Sequence, residues 1–429
     1  MHEVLNLTNT WVWILSFLTF IVGYYYIARE EHYNINKAKP ALFMWTFMFL
    51  LIWIYFVINW LDIWLLHNET QKIILEISEI FFFLLVAMTF IEVLIDRWVF
   101  DVLRKKLLSN WYTYKQLFWI LWFLSFFLSP FADNLTTVLI LSTVLISISN
   151  KKSFLVPSII NIVVASNAWW VWSPFWDVTT LMAWTADKWT FFDFIKLFPS
   201  AFIWWLVTAL IISFYVKNKK PKVNKKLLKA KLKPWAKSII ILWFFTIFMA
   251  VMNQQLFNIP PVWWMMYWLA LLQLITYKTK KHDAKNLSIY KDMKRIGLDT
   301  LLFFFWILSA VWALDFLWFL DYIANFYTHI WVVWWNITIW FLSAFIDNIP
   351  VMSAVLKSSV EMWEYWWLFL TLTIWIWGSL ISFWSAAWIW AMWKMKWLYT
   401  FWEHFKFFPI ILFWYIISIV VFYLQFYIL

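Results

Sequence analysis

Ser129-Pro130-Phe131-Ala132-Asp133-Asn134-Leu135-Thr136-Thr137 stands in the middle of an otherwise apolar run. Residues 117–128 contain one polar side chain, Ser125, and residues 138–148 are nearly as apolar. Lys115 precedes the run and Lys151-Lys152 follow it, so both ends belong on the same, lysine-bearing side of a membrane. A chain that enters and leaves on one side, with Pro, Asp and Asn at its midpoint, predicts a re-entrant helical hairpin over residues 117–150. Its polar tip then lies deep in the bilayer, where irregular backbone survives only if it is buried in protein or lines a wet cavity.

The rest of the chain agrees. Of 429 residues, 65% are hydrophobic and 13% charged, against about 45–50% and about 25% in soluble domains. Stretches such as 42–57, 201–216 and 408–429 approach or exceed the ~17–20 apolar residues that cross a bilayer core. The net charge of +11 comes from Lys and Arg gathered in short loops, the positive-inside pattern rather than a nucleic-acid surface. The absence of cysteine excludes disulfides, thiol catalysis and thiolate metal sites, and the six His stand singly. The first residues lack a basic leader and a small-residue cleavage site, so no removable signal peptide is expected.

The tip sequence recurs. Ser129-x-Phe131-x-Asp133-Asn134 matches Ser343-x-Phe345-x-Asp347-Asn348. Trp169-Trp170…Phe175-Trp176-Asp177 matches Trp377-Gly378…Phe383-Trp384-Ser385, and Thr190…Asp193…Lys196…Phe198-Pro199 matches Thr400…Glu403…Lys406…Phe408-Pro409. Each half therefore reads as hairpin, broken helix, short amphipathic segment and final span. Glu361 and Glu364 place the ends of the second hairpin outside, while Lys394 and Lys396 place the end of the second broken helix inside. The halves are thus expected to be inverted, a common design in secondary transporters.

The expected architecture is an all-α polytopic membrane protein with about 10–12 transmembrane helices. N-terminal transmembrane helices fill residues 1–72, and the first repeat covers 73–216, with hairpin 117–150 and broken helix 154–186. Basic cytoplasmic loops and two linking helices occupy 217–296. The second repeat covers 297–429, with hairpin 331–360 and broken helix 365–395.

The composition also contains an anomaly: 42 Trp against 3 Gly. Tight turns, broken helices and close helix contacts need a residue without Cβ, yet those places hold Trp, often doubled, as at Trp204-Trp205. An aromatic belt does not explain Trp in mid-span. The pattern is expected if most of these positions are glycines encoded by UGA and spelled as Trp, and a UGG codon at Trp169, Trp170 or Trp384 would refute that reading.

Asp133-Asn134, Asn167, Asp177 and Asp347-Asn348 lie within the interrupted elements, surrounded by Ser129, Ser173, Thr179, Thr180, Ser343, Ser382 and Ser385. A charge at membrane depth costs a few kcal/mol or more, so such acids are functional candidates. No Lys or Arg lies in these motifs, which leaves a bound cation or a proton as partner. Oxygen-only ligands suit hard cations such as Na⁺. A desolvated carboxylate favours the proton while a neighbouring cation disfavours it, so the two compete. The reading places Na⁺ at Asp177 first, then at Asp133 and Asp347. The alternative for Asp133 and Asp347 is a capping role at the second hairpin arm. Glu92 and Asp299 are possible proton relays, although Asp299 also fits a helix-start charge.

At these motifs the chain resembles the NhaD-type sodium/proton antiporters of the ion-transporter superfamily, which also holds citrate-like and arsenite carriers. The resemblance rests on residues 129–137, 166–182, 342–352 and 377–387, and extends over roughly 73–428. The family pattern has Gly at 169, 170, 172, 176, 377, 384 and 388, and true Trp at positions resembling Trp119 and Trp184. It implies exchange of Na⁺ or Li⁺ for H⁺ across the bacterial inner membrane. It points to Glu92, Asp133, Asn134, Asn167, Asp177, Thr179, Thr180, Asp299, Ser343, Asp347, Asn348, Ser382 and Ser385 as transport residues. It also suggests a homodimer in the lipid bilayer, with no cofactor. A sodium- or proton-coupled carrier of a carboxylate or oxyanion is the alternative. An enzyme is not expected, since no nucleophile–base pair or metal-ligand helix is present.

Overall fold

The computed structural model describes residues 7–29, 33, 35–109, 112–132, 134–170, 178–186, 188–221, 230–283, 293–294, 296, 298–319, 348–358, 363–377, 391–392, 395 and 398–428. The described residues form α-helices joined by short turns, in the all-α arrangement expected of a polytopic membrane protein. Five helices are long and apolar enough to cross a membrane, and shorter apolar helices accompany them.

The first three helices are α1 (Trp11–Ala28), α2 (Ala38–Ile58) and α3 (Ile63–Asp96). Helix α3 has 34 residues, about 51 Å at 1.5 Å per residue, and so extends well beyond a ~30 Å bilayer core. The expected boundary at residue 72 falls inside it. The His67-Asn68-Glu69-Thr70-Gln71-Lys72 segment reads as a polar break, but Asp62 caps the helix ahead of it by accepting from Trp64 N at 2.9 Å. The amphipathic α4 (Val99–Ser109) follows.

The expected hairpin is formed by α5 (Tyr114–Ala132) and α6 (Asn134–Ile148). Its two open ends are tied together, with Tyr114 Oη and Ser149 Oγ 3.1 Å apart. Tyr114 N also donates to Lys219 O at 2.8 Å. Both ends therefore lie at the face that carries the 217–237 lysine run, here termed the basic face. Helix α7 (Lys152–Trp170) starts there too, and α8 (Val178–Thr185) continues towards the opposite face. After α9 (Phe198–Ser213) come α10 (Ala236–Phe257), α11 (Pro261–Asp283) and α12 (Leu298–Phe316). The second half contributes α13 (Asn348–Lys357), α14 (Glu364–Trp377), the short α15 (Phe401–Phe405) and α16 (Phe408–Tyr423).

Contacts fix the sense of each half. Lys152 pairs with Glu403 at 3.6 Å and Asn36 Nδ2 donates to Asp299 at 2.7 Å, both at the basic face. Gln425 Nε2 donates to Lys196 O at 2.9 Å at the other. Helix α6 thus runs from the interior to the basic face. Helix α13 runs the opposite way, ending at Lys357, which is 3.1 Å from Glu76 on the outer part of α3.

The third repeated motif also keeps its form. Thr190 N donates to Asp193 Oδ2 at 3.2 Å, and Asp193 pairs with Lys196 at 2.8 Å. In the second copy Glu403 N donates to Thr400 Oγ1 at 3.4 Å and Glu403 pairs with Lys406 at 3.0 Å. A proline in the first turn then opens α9 and α16 alike, where the missing N–H costs nothing. The Lys406 ammonium beside Glu403 holds that carboxyl below the usual carboxylate range.

The Trp anomaly has a backbone counterpart. Six non-glycine residues have positive φ among the described residues: Asn9, Asn258 and four tryptophans. Trp60 (φ 53), Trp98 (φ 62) and Trp318 (φ 69) each stand just past the end of a helix. Trp60 N donates to Val57 O at 3.3 Å and Leu61 N to Phe56 O at 2.9 Å, the paired bonds of a Schellman turn. Trp98 N to Ile95 O and Trp318 N to Asp315 O repeat the inner bond. This is the position that glycine takes by default, because a Cβ there costs roughly 1–2 kcal/mol. Trp204 and Trp205 are buried in α9 with indole N–H groups that find no acceptor among the described residues. Trp184, by contrast, is fully buried and reaches the amide oxygen of Gln255 at 3.2 Å once that amide is oriented to suit its neighbours. The literal Gly23 shows what glycine does elsewhere in this bundle, since a Cβ there would meet Met44 Sδ at 2.8 Å.

Candidate functional site

Helix α5 runs beside α7 in the same direction, and a ladder of side-chain bonds joins them. Asn161 Nδ2 donates to Phe118 O at 3.4 Å, Ser125 Oγ to Ile162 O at 2.6 Å and Ser129 Oγ to Ser166 O at 2.8 Å. All of these side chains are buried. In an apolar medium a hydroxyl or amide must find such a partner, and here each partner lies on the other helix. The ladder locks the first arm of the hairpin to the first half of the broken helix. Its top rung is Asn134 Nδ2 donating to Asn167 Oδ1 at 3.3 Å. The first residue of α6 therefore meets the last turn of α7.

Thr179 and Thr180, in the first turn of α8, are buried as well. Helices α8 and α13 pack against one another, which brings a helix of the first half to one of the second. Asp133, Asp177, Ser343, Asp347, Ser382 and Ser385 lie outside the described residues. In sequence, each of the three aspartates directly precedes a described helix: α6 from Asn134, α8 from Val178 and α13 from Asn348. Residues 116–150, 153–187, 298–356 and 358–393 contain no Lys or Arg. The segments that form this junction therefore carry acids, amides and hydroxyls but no fixed cation.

The remaining candidates separate. Glu92 is half-buried on α3, one turn before Asp96, near the basic face. Asp299 is exposed in the first turn of α12, bonded to Asn36, in the position of a helix-start charge. Ser129 serves the helix ladder through Ser166 O. Sequence reasoning did not single out Ser125, Asn161 or Ser166, the other members of that ladder. The spacing of Ser125 and Ser129, four apart on α5, is the signal that both hydroxyls lie on one helix face.

The sequence profile of the citrate-transporter family matches residues 24–375. The Na⁺/H⁺ antiporter NhaD of Vibrio cholerae is 34% identical, with 97% of this chain and 93% of that protein aligned. The Na⁺/H⁺ antiporter NhaD of Alkalimonas amylolytica is 36% identical over 97% of this chain and 91% of its own. More distantly, sodium/proton antiporter 1 of Arabidopsis thaliana is 26% identical over 79% of this chain and 59% of its own.

Proposed function

Because the chain belongs to the citrate-transporter family and falls among its NhaD-type members, we propose that it exchanges Na⁺ or Li⁺ for H⁺ across the bacterial inner membrane. The observation that carries this reading is the bond between Asn134 and Asn167, where α6 meets α7. In sequence Asn134 follows Asp133 and the buried Thr179 and Thr180 follow Asp177, on segments that lack any Lys or Arg.

In this proposal Asp177 is the main exchanger, with Asp133 and Asp347 completing the site. Asn134, Asn167, Thr179, Thr180 and Asn348 supply further oxygens, and Ser343, Ser382 and Ser385 do the same from the second half. A carboxylate in a dry junction holds a proton when no cation is near, and releases it when Na⁺ arrives to neutralise it. Alternating access follows from tilting one hairpin and broken helix against the scaffold, so that the same carboxylates face each side in turn. The lysine-rich loops face the cytoplasm. Glu92, half-buried on α3 near the basic face, is proposed as a relay.

The test uses everted membrane vesicles that carry the chain with glycine at its UGA positions. An acid-interior gradient should collapse on addition of NaCl or LiCl, and not of KCl or choline chloride. Asp177→Asn should abolish the collapse. A well-folded protein that leaves the gradient intact at every pH tested, yet takes up a labelled dicarboxylate, would replace cation exchange with anion transport.

A further inference from the structure

A cavity of about 390 Å³ lies on the far side of the same two half-helices, between α8, α13, the outer part of α3 and the start of α11. Leu181 and Thr185 of α8, Ser353 and Lys357 of α13, and Glu76 and Glu79 of α3 line it. Leu181 is three residues into α8 and Ser353 five residues into α13, so the cavity floor lies only about 5–8 Å along the helix axes from the helix starts. Those starts directly follow Asp177 and Asp347. The mouth is at Lys357, the last residue of α13, on the face opposite the lysine loops.

Three features give this cavity a charge preference. Two carboxylates face one ammonium, which leaves a net charge of −1. Lys357 Nζ pairs with Glu76 at 3.1 Å, whereas Glu79 has no ion-pair partner among the described residues. Ser353, on the cavity wall, is completely buried, and its hydroxyl has no hydrogen-bond partner among the described residues. A buried hydroxyl without a partner costs free energy unless something bonds to it. An unpaired carboxylate and an orphan hydroxyl oxygen on the wall of one cavity are ligands for a small hard cation. Thr185 Oγ1, on the same wall, donates its hydrogen to Leu181 O at 2.9 Å and keeps its oxygen lone pairs for a cation.

We propose that this cavity is the vestibule through which monovalent cations pass between the exchange carboxylates and the face opposite the lysine loops. Glu79 and Ser353 form a staging site for Na⁺, and Lys357 is the tethered cation that holds Glu76 when the site is empty. The inference rests on the cation-exchange reading above, but concerns different residues and a different step.

The chain has no native cysteine, so single-cysteine variants report access directly. In reconstituted full-length protein, Ser353→Cys is treated from the face opposite the lysine loops with a membrane-impermeant cationic thiol reagent and with an anionic one. Trp60→Cys, on the exposed turn between α2 and α3, calibrates ordinary surface reactivity. The vestibule predicts roughly tenfold faster modification of Ser353→Cys by the cationic reagent. NaCl should slow that reaction several-fold where choline chloride does not, and Glu79→Gln should remove both the preference and the protection. Met182→Cys, on another wall of the cavity, replaces Ser353→Cys should the latter fold poorly. Equal rates for the two reagents, no protection by Na⁺, or reaction only from the basic face would each overturn the vestibule. If such a result appears in protein that still exchanges Na⁺ for H⁺, the vestibule falls alone. If exchange survives Asp177→Asn while the labelling pattern holds, the exchange site is wrong and the vestibule stands.

Discussion

At one end of α3, Asp96 is held by the adjacent Arg97 and by Lys233 at 3.4 Å, and Arg97 is itself buried. Near its middle, at the outer side, Glu76 pairs with Lys357 beside an open cavity, while Glu79 has no ion-pair partner among the described residues. The same helix therefore carries a carboxylate whose charge is fully answered and, about 25 Å away along its axis, one that is not. The first arrangement fastens α3 to the 217–237 loop, and its chemistry is finished when the chain folds. The second leaves a charge for something that comes and goes. Charge at a membrane boundary is thus no guide to function by itself; what distinguishes the two sites is whether the fold supplies the counterion.

The comparison can be broken at several points. The largest effect is expected at the closed end. Arg97→Ala takes from Asp96 its adjacent guanidinium partner, and removing one member of a buried pair costs about 3–5 kcal/mol. The melting temperature in detergent should fall by several degrees, and adding Asp96→Asn should recover much of the loss. An unchanged melting temperature would mean that this end is no more structural than the open site.

Trp98 stands next to that pair with φ 62. Trp98→Gly should stabilise the protein by roughly 1–2 kcal/mol, the cost of a left-handed conformation for a residue with Cβ. Mass spectrometry of the corresponding peptide from native cells should find glycine at this position, and tryptophan there would refute the recoding. At the open site, Lys357→Met should change the melting temperature by less than ~1 kcal/mol in stability, because exposed pairs contribute little. It should instead speed cationic labelling of Ser353→Cys. A stability loss as large as that of Arg97→Ala would erase the distinction between the two sites.

The smallest effect is expected at Glu403, a paired surface carboxylate with no cavity. Its carboxyl is held below its ordinary value by Lys406. The stabilisation is therefore present above the unfolded-state pKa and lost as pH falls through the lowered folded value. Glu403→Gln should lower stability by less than ~1 kcal/mol at neutral pH, and the difference from the parent protein should vanish in acid.

Much of this was legible in the sequence, for definite reasons. Pro130 and Asp133-Asn134 between two apolar runs announce a hairpin, and Tyr114 and Ser149 meet at its open ends. The Thr-Asp/Glu-Lys-Pro motif repeats in sequence and folds alike in both halves. Asn134 and Asn167, named from their motifs, do meet. The length of α3 was hidden because a helix leaving the bilayer keeps its internal hydrogen bonds while its side chains turn polar, and residues 67–72 then look like a loop. The vestibule was hidden for another reason. Glu79, Thr185, Pro261 and Ser353 are far apart in the chain, and no local spacing marks them as neighbours. Asp299 was ambiguous in sequence, and its exposed contact with Asn36 places it at a helix start.

The central claim is that Na⁺ and H⁺ compete for the same intramembrane carboxylates. The direct measurement is the half-saturation concentration for Na⁺ in proteoliposomes at a series of pH values. Competition at one site predicts that this concentration rises towards tenfold for each unit that pH falls below the carboxylate pKa, with an unchanged maximal rate. A maximal rate that falls with pH while half-saturation stays constant would contradict it, and would place the proton on a group that Na⁺ never touches.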